Sequence, residues 1–183
     1  MKSAALKSVF LFGLNFLQSC NIVRLLRFEK RLATVQVKKA DTAYYPYTFN
    51  DNRMYVIGQV QAGEKKDSLI FSFDTGALTM IDEAAADKMK WDKTPSRVQP
   101  RASHFKFKSR FYLLPELTFE LGGKSFQKSW TGSFSLNADS NSCNRKKEQG
   151  IIGSDILSQG VFCLDPYQKK YAIIPNDKFN VPS

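Results

Sequence analysis

The sequence predicts an all-β barrel with one or two short helices. Three observations carry that expectation. Apolar and aromatic residues come in short runs with period-two alternation, as in Leu117, Phe119 and Leu121. Turn residues punctuate them: Ala62-Gly63-Glu64, Gly122-Gly123 and Asp165-Pro166. Helix formers concentrate in one window, Glu83-Ala84-Ala85-Ala86-Asp87-Lys88-Met89, with a second short stretch after Gly153.

In chain order, Lys2 and Lys7 flank the start of an apolar run, Val9 to Leu17, that closes on Gln18-Ser19-Cys20. A basic start and an apolar stretch too short to span a bilayer read as a signal peptide over residues 1–20. Leu17-Gln18-Ser19-Cys20 resembles a bacterial lipobox, which implies lipidation at Cys20 and a membrane-anchored lipoprotein of the bacterial cell envelope, facing the periplasm. A buried helix of a soluble protein is the other reading, and Arg24 and Arg27 oppose export. Residues 21–43 alternate Ile22, Val23, Leu25, Leu26, Phe28 and Leu32 with basic residues, a basic linker or amphipathic segment.

The domain proper is expected over residues 44–183. Met54 to Gln61 is strand-like, Ala62 to Lys66 turns, and Asp67 to Phe73 returns as the strand that delivers Asp74. Asp82 stands where an N-cap would precede the Glu83 helix. Pro95 and Pro100 bracket a loop, after which Phe105, Phe107 and Phe111 alternate with Lys106, Lys108 and Arg110. Gly122-Gly123 turns a hairpin between Leu117–Leu121 and the strand opened by Phe126. A polar loop from Asn137 to Gln149 holds Cys143. Gly150-Ile151-Ile152-Gly153 is a short apolar run between glycines, and Ser154 or Asp155 reads as the cap of a short helix that follows. Val161–Leu164 and Tyr171–Ile174 close the domain as a hairpin.

Within this pattern, Leu69-Ile70-Phe71-Ser72-Phe73 runs into Asp74-Thr75-Gly76-Ala77, and Leu78-Thr79-Met80-Ile81 follows. Asp and Gly are poor strand residues, so the tripeptide is a tight loop between buried strands, where chemistry tends to sit. Phe73 to Ile81 resembles the active-site loop of retropepsin-like aspartic proteases, and Gly150-Ile151-Ile152-Gly153-Ser154-Asp155-Ile156-Leu157 resembles that family's second signature. The two together span roughly residues 44–175.

The resemblance implies a retropepsin-like acid protease barrel that hydrolyses peptide or protein substrates without cofactor or metal. It implies Asp74, Thr75 and Gly76 as catalytic residues and Ala77, Ile151 and Ile152 as substrate-binding ones. Thr75 would be buried, its hydroxyl bracing a facing loop; the Gly76 amide would approach the carboxylate; Ile151-Ile152 would pack beneath, on a strand beside the Asp74 loop. The family's flap would fall around Phe105–Phe111, yet no glycine occurs between Gly76 and Gly122, a departure from glycine-rich flap tips. With one Asp-Thr-Gly in the chain, two carboxylates require a homodimer.

Composition narrows the alternatives. At 183 residues, 43% hydrophobic and 13% aromatic, the chain holds one globular domain plus an extension. A net charge of +10 would suit nucleic acid, but no zinc-finger or RRM pattern accompanies it, and nucleic acid is not expected as a partner. His104 is the one histidine, which excludes a multi-histidine metal site, and no Gly-x-Ser-x-Gly elbow, Walker loop or dinucleotide fingerprint occurs. Asp82, Asp155 and Asp165 lie at expected caps or turns and read as structural. In an exported chain Cys143 and Cys163 either pair or remain free. Two functions stay open: an aspartic endopeptidase, or a non-catalytic binding module of the same fold in the cell envelope.

Overall fold

The computed structural model describes residues 26–40, 43–50, 52–97, 110–136 and 148–176. Two units compose the chain, Met1–Arg31 and Leu32–Ser183. Of the first, residues 26–31 are described and are helical. Cys20 and the signal peptide, Cys143, His104 and the Phe105–Phe107 part of the expected flap lie outside the described residues.

The second unit is mostly β with short helices, as predicted. Its strands are β1 (Gln36–Ala40), β2 (Tyr45–Pro46), β3 (Thr48–Asn50), β4 (Arg53–Ala62), β5 (Lys65–Asp74) and β6 (Met80–Asp82). Helix α1 (Glu83–Lys88) leads to β7 (Thr94–Pro95), β8 (Tyr112–Leu114), β9 (Leu117–Leu121), β10 (Lys124–Lys128) and β11 (Thr131–Phe134). Then come β12 (Gly150–Gly153), α2 (Ser154–Leu157), β13 (Gly160–Asp165) and β14 (Lys170–Pro175).

Local chemistry explains the hairpins. In β4 the side chains of Val56 and Val60 are buried while Ile57, Gln59 and Gln61 face out, the period-two signature of a strand with one face on a core. β4 and β5 pair antiparallel from Ala62↔Lys65 to Tyr55↔Ser72, across a turn where Gly63 takes φ +58°. Between β9 and β10, Gly122 and Gly123 both have positive φ (55° and 72°), which a two-residue turn matched to strand twist requires. β1 pairs antiparallel with β10, Val37 opposite Phe126, so the sheet reaches back into the segment read as a linker. Its apolar signal, one Val among polar and basic residues, is too weak to mark a strand without its partner.

One crossing organises the molecule. β12 runs parallel to β5 on one side and antiparallel to β6 on the other, and β6 in turn pairs parallel with β11. Residues 75–79, which join β5 to β6, therefore loop around the end of β12. Gly150 makes the insertion possible, since a Cβ there would lie 2.4 Å from the Phe71 ring. β13, β14 and β2 form a second, three-stranded sheet. Phe162 of β13 packs on Phe73 at 4.7 Å between ring centroids and on Tyr171 at 5.5 Å, joining both sheets over one core with Phe71, Phe119 and Ile152. The turn between β13 and β14 is set by Asp165, whose Oδ1 accepts the Tyr167 and Gln168 N–H groups at 3.0 and 2.9 Å. Cys163 is a free, half-buried thiol.

Asp82 occupies the N-cap position of α1, but its side chain makes no capping hydrogen bond. Its Oδ1 accepts the Leu136 N–H at 2.8 Å instead, joining the end of β6 to the residues after β11. Burial raises the Asp82 pKa, outweighing the Leu136 donor and the nearby Ala84 and Ala85 amides, which lower it; the Glu83 charge adds to the rise. An acid with a raised folded pKa keeps its proton in the native state after the unfolded chain has lost it. Stability therefore falls as pH rises from the ordinary aspartate value of about 3.9 through the raised one. Asp82→Asn should flatten that segment of the stability–pH curve, measured by denaturant unfolding; an unchanged slope would contradict this account.

Candidate active site

Asp74 ends β5, in register with Gly153 of the parallel β12. Its carboxylate is exposed, and Oδ1 accepts the Gly76 N–H at 2.9 Å. The Ala77 N–H closes the turn by donating to the Asp74 carbonyl at 3.2 Å. Gly76 thus does what the sequence predicts, bringing its amide to the carboxylate.

Both halves of the loop are tied to the β12–α2 junction. The Ala77 carbonyl accepts the Ser154 N–H at 2.8 Å and the Ser154 hydroxyl at 3.1 Å. The Gly153 N–H donates to Thr79 Oγ1 at 3.0 Å. Thr79 in turn donates twice to Asp155 Oδ1, from its N–H at 2.8 Å and its hydroxyl at 2.7 Å. Asp155 Oδ2 accepts from Lys128 Nζ, and the same ammonium donates to the Leu32 carbonyl. The side chains of Lys128 and Asp155 are fully buried. Burial pushes the Lys128 pKa below the usual lysine range, and the charge and hydrogen bond of Asp155 oppose that shift.

The structure thus assembles Asp74, Gly76, Ala77, Ile151 and Ile152 on adjoining strands and their loop. Ile152, opposite Phe73, is fully buried and Ile151 half-buried. Thr75 differs: it is exposed at the loop tip, not buried, and no described residue covers it. α2 differs too, since Gly153 is its N-cap and neither Ser154 nor Asp155 caps it through a side chain.

Two groups escape a reading of local pattern. Lys128 and Asp155 form the buried pair just described. The signal for Lys128 was present: Lys124, Phe126 and Lys128 share one face of β10, and Phe126 points inward. The second group is Ser72, which donates to Glu148 Oε1, while Arg53 pairs with Glu148 Oε2 at 3.2 Å. Ser72 lies on the same strand face as Asp74, one pleat repeat back, about 7 Å along β5.

Among the described residues no three His, Cys, Asp or Glu side chains converge as a metal-ligand set. No helix among them is long and apolar enough to cross a membrane. A concavity of about 440 Å³ lined by Tyr45, Ile57, Gln59, Glu120 and Lys124 includes no residue of the Asp74 loop.

No protein-family profile matches the chain, and no curated protein matches it. Among solved structures, the neighbours are retropepsin-like aspartic proteases at low identity. A retropepsin-like aspartic protease from Rickettsia conorii is similar over 74% of this chain and 92% of its own, with 17% identity and a TM-score of 0.46. The retroviral protease-like domain of Ddi1 from Leishmania major is similar over 68% of this chain and 98% of its own, with 12% identity and a TM-score of 0.40.

Proposed function

We propose that this chain is an aspartic endopeptidase that acts as a homodimer, with Asp74 of each copy facing the other across a shared water. The observation that carries the reading is the Asp74 loop itself. It presents an exposed carboxylate at a strand end, held by the Gly76 amide and braced from below by β12. Two carboxylates in contact cannot both ionise readily, so one acts as base and the other as acid. The ionised member takes a proton from the water as it attacks the peptide carbonyl, and the protonated member donates to the developing oxyanion. Ala77 and Ile151, both half-buried, would line the peptide's path, whereas Ile152, expected there too, is fully buried and would act only as packing. Thr75, exposed at the loop tip, is free to meet the second copy. No cofactor or metal takes part in this reading.

Because the site exists only in the dimer, specific activity on a peptide substrate should fall steeply on dilution below the dimer dissociation constant. A strictly monomeric chain that cleaves at undiminished specific activity would overturn the proposal. An inactive monomer would favour the second reading, a non-catalytic binding module of the same fold, for which the exposed and singly held Asp74 speaks. Anchoring through a lipidated Cys20 on the periplasmic side of a bacterial envelope is part of the proposal and rests on the sequence of residues 1–20.

A further inference from the structure

Lys128 sits at the far end of β10, on a strand that never touches the Asp-Thr-Gly loop in sequence or in sheet pairing. Its ammonium is nonetheless two hydrogen-bonded steps from that loop. Lys128 holds Asp155 Oδ2, and Asp155 Oδ1 holds the N–H and hydroxyl of Thr79. The Thr79 oxygen then receives the Gly153 N–H, and Gly153 is the residue in register with Asp74. On its other side Lys128 holds the carbonyl of Leu32, the first residue of the domain unit.

Stability alone gives little reason to keep such a pair. Burying two charges costs their hydration, and well-packed apolar residues of similar size commonly do as well or better. What an apolar pair cannot do is accept two hydrogen bonds from Thr79. A neutral amide at position 155 cannot serve both neighbours either. It must turn its NH₂ either toward the Lys128 ammonium or toward the Thr79 donors, and one set of bonds is lost.

We propose that Lys128 is a positioning residue for the Asp74 loop. Its ammonium fixes the Asp155 carboxylate in the orientation that receives both Thr79 donors, and it ties that loop to the start of the domain at Leu32. The inference rests on the reading of Asp74 as the catalytic carboxylate only for its effect on catalysis. Its effect on loop order stands on the hydrogen bonds alone.

The test compares the full chain with Lys128→Met, which removes the ammonium and leaves Asp155 in place, and with Lys128→Arg, which keeps the charge. Three quantities are read: the denaturant midpoint, amide hydrogen exchange at Thr79 and Gly153, and kcat and KM on a peptide substrate. In Lys128→Met, exchange at both amides should accelerate by about tenfold or more beyond the change at other core amides, which report any fall in the midpoint. Its kcat should fall by about a hundredfold with KM nearly unchanged, as displacement of a reacting group predicts. Lys128→Arg should stay close to the parent in both. Exchange at Thr79 and Gly153 that moves no more than the rest of the core in Lys128→Met would overturn the proposal. Should that variant fail to fold, Lys128→Gln supplies the same comparison, with faster exchange at Thr79 expected and unchanged exchange overturning it. If the parent cleaves no peptide, the endopeptidase reading fails, and the exchange data still decide the role of Lys128.

Discussion

Asp74→Asn should reduce peptide cleavage by about a thousandfold or more while leaving the fold intact. The change is nearly isosteric, and an amide oxygen can still accept the Gly76 N–H that the carboxylate accepts at 2.9 Å. What is lost is the group that takes and returns a proton. Because Asp74 is exposed, its replacement should shift unfolding stability by no more than about 0.5 kcal/mol. Initial rates on a peptide library, beside a denaturation curve, check both halves. Cleavage that survives in Asp74→Asn would place the chemistry elsewhere in the chain.

Gly153→Ala should be the most damaging alanine substitution among the described glycines. A Cβ there would lie 2.3 Å from the Leu78 carbonyl carbon, 2.4 Å from the Ala77 oxygen and 2.5 Å from the Thr79 nitrogen. All three are backbone atoms of the Asp74 loop, so no side-chain rotation relieves the contact. Conformation is not the obstacle, since φ at Gly153 is −98°, open to any residue. The cost is steric and should reach about 3 kcal/mol or more, or appear as a displaced loop that has lost its bonds to Ser154 and Asp155. Gly63→Ala is the control. There φ is +58° and nothing lies within 4 Å of the added methyl, so only backbone strain of about 1 kcal/mol is expected. Parent-like stability and activity in Gly153→Ala would contradict the packing described for β12.

Why Gly153 is so confined could not be read from the sequence. The hairpins could, because their information is local: alternation in Val56, Gly58 and Val60, paired glycines at 122 and 123, and an Asp-Pro turn at 165. The Asp74 loop was legible for the same reason, as poor strand residues interrupting an apolar run. Placing β12 between β5 and β6 is a non-local event, and nothing in Gly150-Ile151-Ile152-Gly153 names its neighbours. The resemblance to a retropepsin signature implied a strand beside the Asp74 loop, and its insertion between β5 and β6 is legible only in the fold.

Polar burial was the other blind spot. Asp155 reads as a helix cap because acids usually sit there, yet it is a buried acceptor for Thr79 and Lys128. Lys128 carries no mark of burial in its own residue type, because lysine almost never lies fully buried unless paired. Only knowledge of which face of β10 points inward would have placed it inside, and Phe126 carried that knowledge. Thr75 illustrates the reverse case. The family resemblance implied burial for it, and in this chain it stands exposed.

Whether Asp74 works against its own symmetry mate is tested most directly by mixing. Parent chain and Asp74→Asn chain are combined at fixed total concentration, allowed to exchange subunits, and assayed on one peptide substrate. If each site needs Asp74 from both copies, activity falls as the square of the parent fraction, because mixed dimers are inactive. A decline strictly proportional to the parent fraction would mean that one chain carries the whole site, and would contradict the account.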